Sequence, residues 1–446
     1  MNKSEINYIN LALFHVGIAV IIFFIPFLSK IYALAIAVFG FYYVIKNNNK
    51  NNEVLYVAAY IVGAEVFLRM TGGNLNNEYV KVVVSFLMLL GFVLSGFSKS
   101  SFAYWFYFLF LIPAVLITMS NQEINLEIRK AITFNISGPI CLGLCALYCY
   151  QRRLLYVQLQ NVVVLFGLPI IATLVYLLLY NPSVRDVVTG TQSNFATSGG
   201  FGPNQVSTIL GLGMFVFFCQ FVFMSKSVII MGLNAFLFVF TSYRAIVTFS
   251  RGGVITGFAM IVLVLLASYL FSNSSGKRKL KWIIVLSGIM ALGIWSYSVV
   301  QTSGLISKRY ANQDAAGRVK EDRLGGREQV MNTELELFKE NPILGVGIGL
   351  GKSYREQMLG QEVASHNEIT RLLSEHGMFG VFILIILLIT PLILFLINYQ
   401  NVYFFSFYIF WLLTINHAAM RTAAPAFLYA LALLHVQFDP IQKVKE

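Results

Sequence analysis

Ser250-Arg251-Gly252-Gly253 places an arginine directly before an apolar run at 252–271, with Arg244 one to two turns earlier. A guanidinium is a planar fork that can hold phosphate through two parallel hydrogen bonds. A helix opening beside Arg251 would add backbone N–H donors for the same anion. Snorkelling of a long side chain toward water explains the same placement without any ligand. His366 offers a different chemistry. It precedes Asn367, and nine residues later come Gly377 and Gly380. A neutral imidazole there can serve as a general base near neutral pH, or it can be a polar packing residue. His15, His417 and His435 read as packing or surface residues.

Other patterns are less productive. Gly345, Gly347, Gly349 and Gly351, followed by Lys352-Ser353, resemble a phosphate-cradling loop, but Val346 stands where that motif requires glycine. The run is a flexible turn, a place of close backbone approach, or a loop whose N–H groups face an anion. Only four aspartates occur, with no D-x-D pair, so no carboxylate cluster suggests a divalent metal beside a diphosphate. Cys141, Cys145 and Cys149 share one helix face without ligand-type neighbours, and read with Cys219 as small apolar residues.

The elements that must position these groups follow from composition. Of 446 residues, 57% are hydrophobic and 12% charged, with a mean hydropathy of +0.72. A soluble domain carries roughly 25% charged residues, so soluble, disordered and disulfide-rich classes are excluded. The chain is an all-α polytopic membrane protein. Apolar runs near 9–28, 31–45, 54–68, 79–97, 102–119, 131–150, 161–180, 206–224, 227–243, 252–271, 282–299, 377–397, 402–416 and 422–436 predict about 12–14 transmembrane helices. The first lacks a small-residue cleavage site and reads as a retained helix. The organisation expected is 1–199 as N-terminal transmembrane helices, 200–299 as transmembrane helices carrying the arginine motif, 300–376 as one large loop, and 377–446 as C-terminal transmembrane helices.

The net charge of +12 would suggest nucleic acid in a soluble protein. Here the positive-inside rule accounts for most of it. Alternate connections hold Lys46, Lys50, Lys99, Arg152, Arg153, Lys226, Lys277, Arg278, Lys279 and Lys281 against one acid, Glu53. These connections are therefore expected in the cytoplasm, with both termini there if the count is even. The 300–376 loop falls on the other side and holds ten Lys/Arg and eleven Asp/Glu. Within it, Val330, Met331, Leu335 and Phe338 predict an amphipathic interfacial helix over 327–341, ended by Asn341-Pro342.

Taken together, these residues resemble the O-antigen ligase/polymerase superfamily of bacterial membrane glycosyltransferases. The resemblance rests on Ser250-Arg251-Gly252-Gly253, Gly326-Arg327, Asn341-Pro342 through Gly349, His366-Asn367 with Gly377 and Gly380, and Gly202-Pro203-Asn204. It covers about 200–380. It implies a GT-C-type, metal-independent, inverting transferase of the bacterial inner membrane that needs no cofactor. The implied donor is a glycan on undecaprenyl pyrophosphate, and transfer takes place at the periplasmic face. The acceptor is a sugar hydroxyl of lipid A-core for a ligase, or of a second lipid-linked glycan for a polymerase. Carried over by position, Arg251 and Arg327 would hold the pyrophosphate and His366 would activate the acceptor. Arg244, Asn204, Asn367 and Arg323 are further possible substrate contacts. A transporter of anionic lipid or polysaccharide is the competing class. It would place charges midway along helices and show paired repeats, whereas here charge gathers at helix ends and no repeat is evident.

Overall fold

The computed structural model describes residues 3–123, 125–320, 326–360, 363 and 365–438. Among them, ten helices are long and apolar enough to cross a bilayer. These are α1 (Lys3–Phe24), α2 (Leu28–Lys46), α5 (Phe102–Asn121), α6 (Leu126–Cys149), α7 (Tyr156–Tyr180), α8 (Pro203–Cys219), α9 (Val228–Ile246), α10 (Arg251–Phe271), α11 (Ser274–Gln301) and α16 (Met378–Ile397). The apolar helices α4 (Tyr79–Ser95) and α17 (Phe404–His417) are shorter. Helix α3 (Glu53–Met70) is as long as a span but carries Glu53, Glu65 and Arg69. The protein is thus the all-α, multi-pass membrane protein that composition demands.

The predicted run at 422–436 forms no spanning helix. It becomes α18 (Ala424–Leu431) and a short strand β2 (His435–Gln437), which pairs in parallel with β1 (Arg153–Leu155). Eight helical residues rise only about 12 Å, so the segment completes its path with turn and strand. Such backbone survives among membrane helices only when buried in protein, and residues 424–434 are buried throughout.

The helices alternate between two ends. Asn52 reaches the Arg153 carbonyl and Arg152 the Gly96 carbonyl, so the basic connections meet at one end. At the other end lie the turns after α3, α5, α7, α9 and α17, and the segment 302–377. That segment holds α12 (Leu305–Tyr310), α13 (Arg327–Glu340), α14 (Gly351–Leu359) and α15 (Glu368–His376). Helix α13 matches the expected bounds, but its buried face is Val330, Thr333, Glu334 and Leu337. It therefore packs against protein and does not lie on the interface through the face expected.

The glycine run resolves into docking by close approach. Gly345, Gly347 and Gly349 all adopt positive φ, and a Cβ on Gly345 would lie 2.4 Å from the Glu375 carbonyl carbon. The N–H groups of Val346, Gly347 and Ile348 are taken by carbonyls of Ser374, Glu375 and Ala114. These three point at protein, not at an anion. The run fastens α15 to the end of α5.

Candidate functional site

Arg251 opens α10, and its placement begins with packing. A Cβ on Gly253 would fall 2.0 Å from the Ser207 carbonyl oxygen, and one on Gly252 would fall 2.3 Å from Cδ2 of His417. Only glycine lets α10 approach α8 and α17 so closely. Asn204 fixes the entry to α10 by accepting the Ser250 hydroxyl at 2.8 Å, and Ser207 donates to the Ser250 carbonyl at 2.7 Å. Asn204 is therefore tied to the turn that presents Arg251.

The residue before that turn, Phe249, has φ of 59°. That conformation is costly for a bulky side chain. Here the Phe249 carbonyl receives Nε of Arg309 at 3.1 Å, which brings α12 to the start of α10. Arg327 opens α13 behind Gly326, at φ 77°. Two helices thus begin with arginine, at the end where the helix dipole is already positive. Anions, not cations, are favoured there.

These arginines converge. Burial, then the charges of Arg251 and Arg327, hold Arg309 below its usual pKa. Burial and Arg251 do the same to Arg327, and burial and Arg327 to Arg421. Burial pushes the Tyr310 phenol up to about 12 against the pull of Arg251 and Arg309. His366 faces this group. Burial first, then Arg421, Arg327, His417 and Arg355, push its imidazole down to about 4. Its Nδ1 is buried with no hydrogen-bond partner among the described residues. The ring is neutral at pH 7 and free to accept a proton, beside guanidinium groups suited to a polyanion.

Sequence reasoning missed Arg309, Arg421 and the nearness of His417. Arg421 Nη2 donates to the Ser365 carbonyl at 3.1 Å, and the Ala419 N–H donates to the His366 carbonyl at 3.2 Å. The turn at 418–423 is itself held by the N-terminal half. Glu65 accepts from the Ala423 N–H at 2.7 Å, Arg69 donates to the Arg421 carbonyl at 3.0 Å, and Lys81 donates to the Met420 carbonyl at 3.4 Å. A signal existed: Arg421 is the one Asp, Glu, Lys or Arg between 377 and 438.

The remaining expected contacts fall elsewhere. Arg244 is 1% exposed and donates to the carbonyls of Asn181, Leu177 and Thr197 at 3.0–3.3 Å; it closes the end of α7. Asn367 caps α15, accepting from the N–H of Ile369 at 2.9 Å. Arg323 lies outside the described residues. No group of three or more His, Cys, Asp or Glu able to hold a metal occurs among the described residues.

No curated protein matches the chain. Residues 236–385 match the family model described as O-antigen ligase. This stretch runs from α9 into α16 and includes Arg251, Arg309, Arg327 and His366, but not Asn204, His417 or Arg421. Over these residues, about a third of the chain, the protein is similar to the O-antigen ligase family of ligase- and polymerase-type membrane glycosyltransferases.

Proposed function

We propose that the protein transfers a glycan from undecaprenyl pyrophosphate to a sugar hydroxyl of lipid A-core, at the periplasmic face of the bacterial inner membrane. The observation that carries this reading is the gathering of Arg251, Arg309, Arg327 and Arg421 around a neutral, half-buried His366. The arginines screen the pyrophosphate and stabilise the charge that builds on it as the glycosidic bond breaks. His366 takes the proton of the acceptor hydroxyl as its oxygen attacks the anomeric carbon from the opposite face, which inverts that centre. The anion also tunes the base. Offsetting the arginine charges removes part of what depresses the imidazole, so donor binding raises the His366 pKa. Holding two bulky lipid-linked substrates in register supplies further rate. No metal or other cofactor is invoked.

The test is transfer by the full-length protein in nanodiscs, given undecaprenyl-pyrophosphate-linked glycan and lipid A-core. Loss of transfer in well-folded His366→Ala and Arg251→Ala supports the reading, and normal transfer in both sinks it. Growth of donor glycan without lipid A-core would instead identify a polymerase. The face is tested separately. Cysteines placed at Ala315 and Ser274 should label oppositely with an impermeant maleimide on intact spheroplasts, and equal labelling would refute the assigned topology.

A further inference from the structure

A cavity of about 720 Å³ opens between α6, α14, α15 and the 418–423 turn. It borders the histidine segment without including the arginine pair at the helix starts. Ser365, the neighbour of His366, and Arg421 line it, whereas Arg251, Arg309 and Arg327 do not. Ser365 therefore opens on the cavity, while the next residue, His366, feels the arginine cluster.

The chemistry of cavity and cluster differs in kind. The space at the starts of α10 and α13 is ringed by cations. The cavity wall mixes carboxylates, Glu127, Glu356 and Glu375 among them, with Lys130, Arg371 and Arg421, so charges of both signs line it. Glu127, Lys130 and Glu356 have no hydrogen-bond or ion-pair partner among the described residues and reach into solvent. Phe134 stands in the same wall at 47% exposure. An exposed ring among charges of both signs is poor for a second diphosphate and poor for an acyl chain. It suits a polyol: the apolar C–H face of a pyranose lies on the ring, and its hydroxyls donate to carboxylates and accept from ammonium groups.

We infer that this cavity binds the acceptor's sugars and delivers one hydroxyl to His366 from the side opposite the donor pyrophosphate. The inference rests on the transferase reading above and adds where the second substrate sits. Carbohydrate of this kind could come from lipid A-core or from a second lipid-linked glycan, and the cavity chemistry is common to both.

The test fills the cavity. Full-length Glu356→Trp and Lys130→Trp are assayed in nanodiscs against both acceptors, with Arg251→Ala alongside. The acceptor KM should rise about tenfold or more, equal to about 1.4 kcal/mol of lost binding, while the donor KM stays unchanged. An unchanged acceptor KM, or a rise in donor KM instead, overturns the inference. If those results accompany loss of transfer in Arg251→Ala, the transferase reading survives alone. Normal transfer in Arg251→Ala and His366→Ala removes the reading itself.

Should tryptophan prevent folding, Glu356→Cys gives a second measurement. At about ten times its Kd, acceptor should slow maleimide labelling of that cysteine about tenfold, and undecaprenyl pyrophosphate bearing no glycan should not slow it. Whichever acceptor protects identifies the source. Protection by neither, or protection by the glycan-free lipid, overturns the inference.

Discussion

Two sets of arginines lie within the same end of the molecule, one buried and one half-buried, and they are built on opposite plans. Arg371 pairs with Glu368 and with Glu375, the latter at 2.6 Å, while Arg355 pairs with Glu334 at 2.7 Å. Glu334 also accepts the Thr370 hydroxyl at 2.5 Å. Although burial opposes it, the carboxylates of Glu368 and Glu375 hold Arg371 above its ordinary pKa. At the other site, the charges that depress Arg309 and Arg421 belong to fellow arginines. The first set knits α13, α14 and α15 together. The second holds cations close to one another, an arrangement that favours binding a polyanion. The first set is buried against carboxylates, whereas the second is half-exposed and its members neighbour one another.

The largest expected effect falls between the two sets. His366→Ala should lower turnover about 10²–10⁴-fold while binding of the lipid-pyrophosphate donor survives; near-normal turnover in well-folded protein would make His366 a packing residue. Next, the comparison itself can be broken. Removing one partner of a buried ion pair costs about 3–5 kcal/mol, so Arg371→Ala should lose thermal stability outright. Arg309→Ala should keep its thermal midpoint and lose transfer. The reverse pattern would show that the two sets have been misread.

A smaller effect separates charge from shape. Arg251→Lys retains a cation but not the bidentate fork, so its donor KM should fall between those of wild type and Arg251→Ala. Equality with wild type would mean that point charge alone suffices. Smaller again is a shift with pH. The depressed imidazole places the acid limb of kcat/KM for the free protein near pH 4. Bound pyrophosphate raises that pKa, so the acid limb of kcat, measured at saturating donor, should lie at higher pH. A limb that moves down would contradict the coupling. The smallest effect is none: EDTA should leave transfer intact, and recovery only on adding Mg²⁺ or Mn²⁺ would refute screening by arginine.

Much of this was legible in one dimension. Hydropathy gives the helices, because a span needs a long apolar run and little else. Arg251, Arg327 and His366 announce themselves through neighbouring glycines and helix boundaries. Arg309 does not, because it sits in a six-residue helix with Lys308 beside it and gains meaning only from the Phe249 carbonyl it reaches. Arg244 misleads for a related reason. Spacing puts it near Arg251, but three carbonyls at the end of α7, a distant stretch of chain, decide what it does. The 422–436 run reads as a span because hydropathy registers apolar length and not whether neighbours already supply the hydrogen bonds that a helix would make. Burial of α13 through Glu334 is equally invisible, since its partner Arg355 lies in another helix.

Residues 421–437 also impose an order on biogenesis. Helix α18 and β2 cannot partition into lipid as an independent unit, because the turn and strand between 432 and 437 would carry backbone groups into hydrocarbon unsatisfied. They must instead slide into a slot already formed by earlier helices, where His435 N–H finds the Arg152 carbonyl and Ala423 N–H finds Glu65. Arg421 sits at the mouth of that slot. The end that carries the arginine cluster is therefore completed only after the helices before it, and a chain stopped short of 421 would sit in the bilayer with those helices inserted and the cluster unfinished.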